Sequence, residues 1–351
     1  MLKQLIRQLA ASESLSEQQV QLAVEQLTNE AVAVSVKAEF LTSLARKGET
    51  IEEIGAFVRA MHARCVQPVL DAGLRGREIL DVVGTGGDRL STFNISTTVA
   101  LVASAAGVLV AKHGNRASTS LVGSADVIEA LGIPCDLGPE QAVESLRREG
   151  FTFFFAPKYH PAFRHIVPAR RLCAERGQPT VFNFLGPLLN PARPSAMLIG
   201  VPRPDLCLPL ARVLRSLGAR RAMVVSGAVP GESGGPTRYL DEISPLGPTT
   251  VAEFHPGAAP SCASIEPESF PLQPMTLADL RGGDREFNAA LIRRILKGEE
   301  RGPRRDAVLL NAAAALQVAN RVPGLAEGWR LAAEVIDSGA AIQKVEKLSR
   351  A

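Results

Sequence analysis

The chain has 351 residues, 46% of them hydrophobic, which is enough for one large globular domain or two ordinary ones. Its 39 basic and 36 acidic residues leave a formal net charge of +3, and this balance argues against nucleic acid as the main partner. The five cysteines are widely spaced and form no C-x-x-C pair, so neither a zinc site nor a disulfide framework is predicted.

The beginning of the chain predicts an amphipathic helix rather than a secretion signal, because Lys3 and Arg7 interrupt its apolar residues. The most apolar stretch, residues 99–111, contains Gly107 and is shorter than the roughly 20 residues that cross a bilayer. We therefore expect a cytoplasmic protein with no membrane partner.

Residues 1–70 predict a small helical domain. Ser16 with Gln19, and Thr50 with Glu53, have the spacing of capping boxes that start helices. Apolar residues then recur at helical spacing after each pair. We expect a helical segment around residues 160–190 to join this domain.

From residue 78 onward, β-branched runs alternate with helical patterns. This alternation predicts βαβ units and a mostly parallel sheet in a domain over residues 71–351. The strands are predicted at residues 79–83, 108–111, 151–155, 197–201 and 222–226. The later helices are predicted near residues 205–217, 288–297, 304–319 and 327–338. Residues 227–238 are rich in glycine and proline, so we interpret them as a loop that could act as a flap over a site.

The predicted fold class is therefore α/β, with a small N-terminal helical domain and a large domain whose central sheet is flanked by helices. In an open sheet of this kind, ligands bind beyond the carboxyl ends of the strands.

A glycine-rich loop, Gly84-Thr85-Gly86-Gly87-Asp88, follows the first predicted strand. Glycines let backbone N–H groups approach phosphate oxygens, and the loop leads through residues 94–97 into a helix whose N-terminus favours an anion. The run is neither a Walker loop nor a dinucleotide-binding fingerprint. Taken alone, it is equally compatible with a tight structural turn.

A second polar loop, residues 112–120, follows the next predicted strand. Its lysine, arginine, asparagine and hydroxyl residues suit a bound polyanion, although Lys112 and Arg116 could also be solvated at a strand end. We interpret His113 as a hydrogen-bonded structural residue rather than a general base. The acidic pair Asp241-Glu242 could, from residue type alone, be a solvated surface feature.

The two loops closely resemble those of anthranilate phosphoribosyltransferases. In that family Gly-Thr-Gly-Gly-Asp, Asn-Ile-Ser-Thr, Lys-His-Gly-Asn-Arg and Gly-Ser-Ala-Asp-Val follow one another in this order, as they do here between residues 84 and 127. The resemblance continues at residues 155–162, 182–191 and 241–244 and covers nearly the whole chain.

The resemblance implies transfer of the 5-phosphoribosyl group from phosphoribosyl pyrophosphate (PRPP) to the amine of anthranilate, a step of tryptophan biosynthesis, by a Mg²⁺-dependent homodimer. The implied PRPP-binding residues are Gly84, Gly87, Asp88, Thr92, Asn94, Ile95, Ser96, Thr97, Lys112, His113, Gly114, Asn115, Arg116, Ala117, Ser118, Thr119, Ser120 and Ser124. The implied anthranilate-binding residues are Gly84, Asn115 and Arg170. The implied metal ligands are Ser96, Asp241 and Glu242. No classical acid–base residue is expected, because an aniline nitrogen is already uncharged at neutral pH.

Two departures from the family pattern bear on the site. Family members commonly have Ser-Lys-Ser before Gly-Ser-Ala-Asp, whereas this chain has Ser120-Leu121-Val122. The stretch between Arg170 and Phe182 is also longer than usual. The longer stretch beside Arg170 leaves open transfer to a different aromatic amine. Because related proteins share this architecture, pyrimidine nucleoside phosphorolysis and non-catalytic binding of nucleic acid are further alternatives.

Overall fold

The computed structural model describes residues 1–117, 121–231 and 234–350. The chain begins with four helices, α1 (Leu2–Ala10), α2 (Glu17–Thr28), α3 (Val34–Lys47) and α4 (Ile51–His62). Both predicted capping boxes are confirmed: the side chains of Ser16 and Thr50 accept from the backbone N–H groups of Gln19 and Glu53, which reciprocate. The apolar faces of these helices form one buried cluster.

The remaining elements build an α/β domain. The strands are β1 (Ile79–Gly84), β2 (Leu109–Gly114), β3 (Phe151–Phe155), β4 (Ala196–Gly200), β5 (Arg221–Val229), β6 (Arg238–Leu240), β7 (Thr249–Phe254) and β8 (Ser261–Ile265). The helices are α5 (Ala72–Arg75), α6 (Ile95–Ala105), α7 (Ser124–Ala130), α8 (Pro139–Glu149), α9 (Ala156–Tyr159), α10 (Val167–Glu175), α11 (Phe182–Leu185), α12 (Cys207–Ser216), α13 (Arg285–Leu296), α14 (Pro303–Val318), α15 (Leu325–Asp337) and α16 (Ala340–Leu348).

The sheet has the strand order β3-β2-β1-β4-β5-β7-β8, and β6 pairs with β5. Strands β1 to β5 run parallel, while β6, β7 and β8 pair antiparallel. The chain moves from β1 outward to β3 and then returns to β4 on the other side of β1. The carboxyl end of β1 is therefore a topological switch point, where ligands of open α/β sheets bind.

The prediction of a loop over residues 227–238 is wrong at both ends. Residues 227–229 extend β5, and Arg238 starts β6. A Cβ at position 227 would lie 2.5 Å from the carbonyl oxygen of Glu242, which is too close for any side chain. Gly227 therefore marks a close backbone approach rather than a turn. Residues 232 and 233 of the predicted flap lie outside the described residues.

Helix α10 packs against α3 of the helical domain. The buried Lys37 of α3 donates through Nζ to the carbonyl oxygen of His165, 2.9 Å away. Helix α10 therefore contacts the helical domain, while the domain boundary at residue 70 and the joining segment at 160–190 stay predictions. Within the described ranges, no helix is long and apolar enough to span a membrane.

Candidate active site

The glycine loop after β1 contacts the acidic pair that follows β6. The backbone N–H of Gly86 donates to Asp241 Oδ2 at 2.6 Å. Gly86 and Gly87 adopt φ angles of +73° and +88°, in the left-handed region that glycine occupies without strain. A Cβ on Gly84 would overlap the Asp241 carboxylate. The loop is thus shaped around this side chain.

The second carboxylate, that of Glu242, lies at the N-terminus of α6. Its Oε1 accepts from the backbone N–H of Ser96 at 3.2 Å. Burial is the main cause that raises the pKa of Asp241, and the neighbouring charge of Asp88 is the second. Burial is also the main cause that raises the pKa of Glu242, and the charge of Asp241 is the second. Asp241 is 9% exposed, so the interpretation of the pair as a solvated surface feature is wrong.

Lys112 lies at the same strand ends and is 1% exposed. Its Nζ donates to the carbonyl oxygen of Val82 at 2.6 Å and to Ser96 Oγ at 3.5 Å. Burial lowers its pKa, while the nearby Asp81 and Glu242 raise it. The alternative of a lysine solvated at a strand end is therefore wrong, and its charge lies beneath the N-terminus of α6.

These loops enclose a polar cavity of about 230 Å³, which we call the donor cavity. Thirteen of the residues implied for PRPP line it: Gly84, Gly87, Asp88, Thr92, Asn94, Ile95, Ser96, Thr97, Lys112, His113, Gly114, Asn115 and Ser124. Asp241 and Glu242 also line it. Ser118, Thr119 and Ser120 lie outside the described residues.

Arg116 and Ala117 are not among the residues that line the donor cavity. The guanidinium of Arg116 lies 3.0 Å from carboxylate oxygens of both Asp126 and Glu129, and it is half exposed. The backbone N–H of Ala117 donates to Asp126 at 3.1 Å. The structure thus places both residues in a salt-bridged turn beside the cavity.

A second cavity, of about 540 Å³, adjoins the first, and we call it the acceptor cavity. The two share Val83, Gly84, His113, Gly114 and Asn115, all at the ends of β1 and β2. Gly84 and Asn115, implied for both substrates, therefore lie at the boundary between the cavities.

Arg170 of α10 lines the acceptor cavity. Its guanidinium carbon lies 5.6 Å from the centre of the Phe182 ring, and burial lowers its pKa. Among the described residues, no carboxylate forms a salt bridge with Arg170. A partly desolvated guanidinium without an acidic partner is suited to an anionic group of a ligand.

The rest of the acceptor wall is a chain of rings that sequence reasoning did not identify. Ring centres are 5.2 Å apart for His113 and His160, 5.6 Å for His160 and Phe163, and 5.5 Å for Phe163 and Phe182. Burial lowers the pKa of His160 to about 4 and that of His113 well below its usual value, so both are neutral at pH 7. The segments 155–162 and 182–191, which resemble the family, contain His160 and Phe182 and could have indicated this wall.

Sequence reasoning also missed a buried polar link beneath the two cavities. The side-chain amide of Asn190 donates to Asp81 Oδ2 at 2.8 Å and to the carbonyl oxygen of Ala111 at 2.6 Å. Burial raises the pKa of Asp81 to about 6. The available signal was a carboxylate within the apolar strand 79–83.

The donor cavity contains oxygen ligands of the kind that Mg²⁺ prefers. Ser96, Asp241 and Glu242 supply a hydroxyl and two carboxylates, and Asp88 Oδ2 is buried without a hydrogen-bond partner. Among the described residues, no group of three His, Cys, Asp or Glu side chains forms a metal site by itself. These residues would fit a divalent cation if water or a bound phosphate supplied further oxygen ligands.

The fold and the paired cavities define a glycosyl transferase built from a helical bundle and an α/β domain. Residues 3–65 match the glycosyl transferase family helical bundle domain, and residues 76–342 match the glycosyl transferase family a/b domain. The chain belongs to the anthranilate phosphoribosyltransferase family.

Three relatives illustrate this membership. The anthranilate phosphoribosyltransferase of Symbiobacterium thermophilum is 46% identical over 348 residues, which cover 99% of this chain and 96% of that protein. The crystal structure of the Thermus thermophilus enzyme has a TM-score of 0.86 and 42% identity, with 99% of each chain covered. The Saccharomyces cerevisiae enzyme in complex with PRPP and Mg has a TM-score of 0.83 and 27% identity, covering 98% of this chain and 96% of that one.

Proposed function

We propose that this chain transfers the 5-phosphoribosyl group of PRPP to the amine of anthranilate, giving N-(5-phosphoribosyl)anthranilate and pyrophosphate. The observation that carries the proposal is the pair of cavities joined at Gly114 and Asn115. One is lined by a glycine loop, a helix N-terminus and a buried lysine, and the other by neutral rings and one arginine. A polyanion and an aromatic carboxylate can therefore meet at a shared boundary.

In the proposal, the donor cavity binds the pyrophosphate of PRPP. Backbone N–H groups of the glycine loop and of the start of α6 donate to its oxygens, and the helix N-terminus favours their charge. Lys112 contributes a positive charge next to Ser96 at the start of α6. All PRPP-binding residues named from the sequence are retained in the proposal, with Arg116 acting only if its salt bridges to Asp126 and Glu129 open.

We assign Ser96, Asp241 and Glu242 as the residues that hold Mg²⁺. Support comes from their clustering in the donor cavity and from the yeast enzyme, whose structure is a complex with PRPP and Mg. When bound, the ion neutralises the charge that develops on the leaving pyrophosphate.

The acceptor cavity would hold anthranilate with its carboxylate on the guanidinium of Arg170 and its ring against Phe163 and Phe182. Support comes from the unpaired guanidinium and from the yeast enzyme, which was solved in complex with 4-fluoroanthranilate. Asn115, at the boundary, would orient the amine toward the ribose.

The reaction breaks the bond between ribose C1 and the pyrophosphate oxygen, and it forms the bond between C1 and the amine nitrogen. The amine attacks with its lone pair and afterwards releases one proton. Negative charge develops on the pyrophosphate, where the loop amides and Lys112 stabilise it. Catalysis then depends on positioning and electrostatics rather than on a general base.

We further propose that the enzyme is a cytoplasmic homodimer that associates through its helical domain. Leu22 and Val34 of that domain are 39% and 40% exposed, which is compatible with an apolar contact.

The direct test mixes the protein with Mg²⁺, PRPP and anthranilate and follows the loss of anthranilate fluorescence. We expect the signal to fall only when all components are present. A flat trace from folded protein would overturn the proposal. Release of free base from thymidine or uridine with phosphate would instead support the phosphorylase alternative, and salt-sensitive DNA binding without turnover would support the nucleic-acid-binding one.

A further inference from the structure

A third cavity, of about 440 Å³, lies where the helical domain meets the α/β domain. It is bounded by Val58, Arg59 and His62 of α4 on one side and by Leu188, Asn190 and Arg193 on the other, and we call it the junction cavity. Its volume is within the range of small-molecule sites. The proposed reaction uses neither this cavity nor its arginines.

The charge of the junction cavity is positive. Arg59 and Arg193 line it, and no aspartate or glutamate is found among the lining residues that the structure describes. Arg59 pairs with the exposed Glu17 at 2.7 Å, outside the cavity. Arg193 has no salt bridge to a described residue, and burial lowers the pKa of His62 to about 4, which keeps that ring neutral. An anion would therefore meet a cationic rim without carboxylate repulsion.

Arg193 lies in a turn at the edge of the junction cavity. Its φ angle is +48°, in the left-handed region that side-chain-bearing residues other than Asn and Asp seldom adopt. Its backbone N–H donates to the carbonyl oxygen of Asn190 at 3.0 Å, so the positive φ belongs to a tight turn. Arg193 is exposed at the edge of the cavity, its charge is close enough to contribute to the lowered pKa of His62, and Val58, Leu188 and Met197 form the apolar part of the lining.

The junction cavity also contacts the wall of the acceptor cavity. Leu188 and Asn190 line the junction cavity, whereas Leu189 lines the acceptor cavity. Asn190 donates to Asp81 at 2.8 Å, and the other oxygen of Asp81 accepts from the backbone N–H of His113 at 3.4 Å. His113 lines both substrate cavities. A shift of residues 188–190 would therefore reach the site of reaction.

We propose that the junction cavity is an effector site for a small organic anion with an apolar body, and that its occupancy changes the affinity of the acceptor cavity for anthranilate. The anionic group contacts Arg193 and Arg59, and the apolar body lies against Val58, Leu188 and Met197. The binding claim is independent of the proposed reaction, whereas the coupling claim rests on it.

Naphthalene-2-sulfonate is a suitable probe, and the methionines report where it binds. The chain has five methionines, of which Met197 lines the junction cavity, while Met223 and Met275 line none of the three cavities. With methyl-¹³C methionine, we expect the Met197 signal to shift saturably and the Met223 and Met275 signals to stay in place. The Met197 signal is assigned with Met197→Leu.

Arg193→Asn removes the guanidinium, and asparagine tolerates a positive φ, so this variant should fold. We expect it to weaken probe binding about tenfold, the usual effect of losing a hydrogen bond to an ionised group. Arg212→Asn is the matched control, because Arg212 is an exposed arginine of α12 outside the cavity. An unshifted Met197 signal, or equal affinity of wild type and Arg193→Asn, would overturn the binding claim.

The coupling claim is tested by anthranilate kinetics with and without the probe. With the probe near its dissociation constant for the wild type, we expect KM for anthranilate to change in the wild type and in Arg212→Asn, and to change far less in Arg193→Asn. A change of equal size in Arg193→Asn would mean simple competition in the acceptor cavity and would overturn the coupling claim. An inactive wild type that still shows the Met197 shift would contradict the proposed function and leave the binding claim supported.

Discussion

The carboxylate of Asp241 accepts a 2.6 Å hydrogen bond from the backbone N–H of Gly86, a residue 155 positions earlier in the chain. Two further glycines make this approach feasible, since a Cβ on Gly84 would overlap the Asp241 carboxylate and a Cβ on Gly200 would overlap its carbonyl. The acidic pair is therefore positioned by backbone at the ends of β1 and β4.

Gly84→Ala should displace the Asp241 carboxylate. Because misplacing a catalytic group by about 1 Å can cost about 100-fold in rate, we expect kcat/KM to fall by about that factor while the chain stays folded. Gly138→Ala is the control, since Gly138 has a φ of −72° and its Cβ would lie 3.5 Å from a flexible glutamine side chain. Steady-state kinetics and circular dichroism would decide, and equal activity of the two variants would contradict the close packing.

Asp241→Asn should weaken magnesium binding but relieve repulsion between buried carboxylates. We expect the Mg²⁺ concentration for half-maximal activity to rise at least about tenfold. Without magnesium, the melting temperature should rise, because a neutral amide removes a like charge beside Glu242 and Asp88. Asp205→Asn, at an exposed salt bridge with Arg203, is the control. Unchanged magnesium dependence would rule out the assigned metal role.

Arg170→Lys should act on the acceptor alone. A lysine keeps the charge but loses the planar fork that matches a carboxylate, so we expect KM for anthranilate to rise about tenfold. KM for PRPP should stay within about twofold. Arg171→Lys, at the exposed neighbour in α10, should change neither value. A rise in KM for PRPP instead would place Arg170 at the donor.

Leu121→Lys should strengthen donor binding. Leu121 is 70% exposed and precedes Val122, which lines the donor cavity. A cation there adds long-range attraction to PRPP, and we expect KM for PRPP to fall about threefold at low salt and less at high salt. Leu121→Gln separates charge from polarity. If both variants behave alike, the family's lysine does not act through charge at this position.

His62 should make the fold sensitive to acid. Burial lowers its pKa to about 4, whereas in the unfolded chain it titrates near 6.5. The unfolded state therefore gains a proton first, so the stability contributed by neutral His62 is complete above pH 6.5 and is lost as the pH falls toward 4.

His62→Gln keeps a donor for the carbonyl of Leu188, which lies 3.2 Å from His62 Nε2, but it cannot titrate. From pH 7.0 to pH 4.5, the free energy of unfolding in urea should fall by about 2 kcal/mol more for the wild type than for the variant. Parallel curves would show that His62 keeps a normal pKa.

Local patterns in the sequence determined much of the fold and of the donor site. The capping boxes at Ser16 and Thr50, the apolar strand 79–83 and the glycine loop are each encoded within a few residues, where backbone preferences and hydrophobic periodicity act. The ordered strings around those loops were specific enough to indicate the family.

Only the tertiary structure decided the rest, because it depends on contacts between residues far apart in sequence. From the sequence, Gly227 is typical of a loop, but in the structure it lies against the backbone of Glu242. Asp241 is typical of a solvated surface, but in the structure Gly84, Gly86 and Gly200 lie against it. Arg116 looks free to bind phosphate until Asp126 and Glu129 are found 3.0 Å away. Burial and charge pairing arise only when the chain folds, and no local pattern records them.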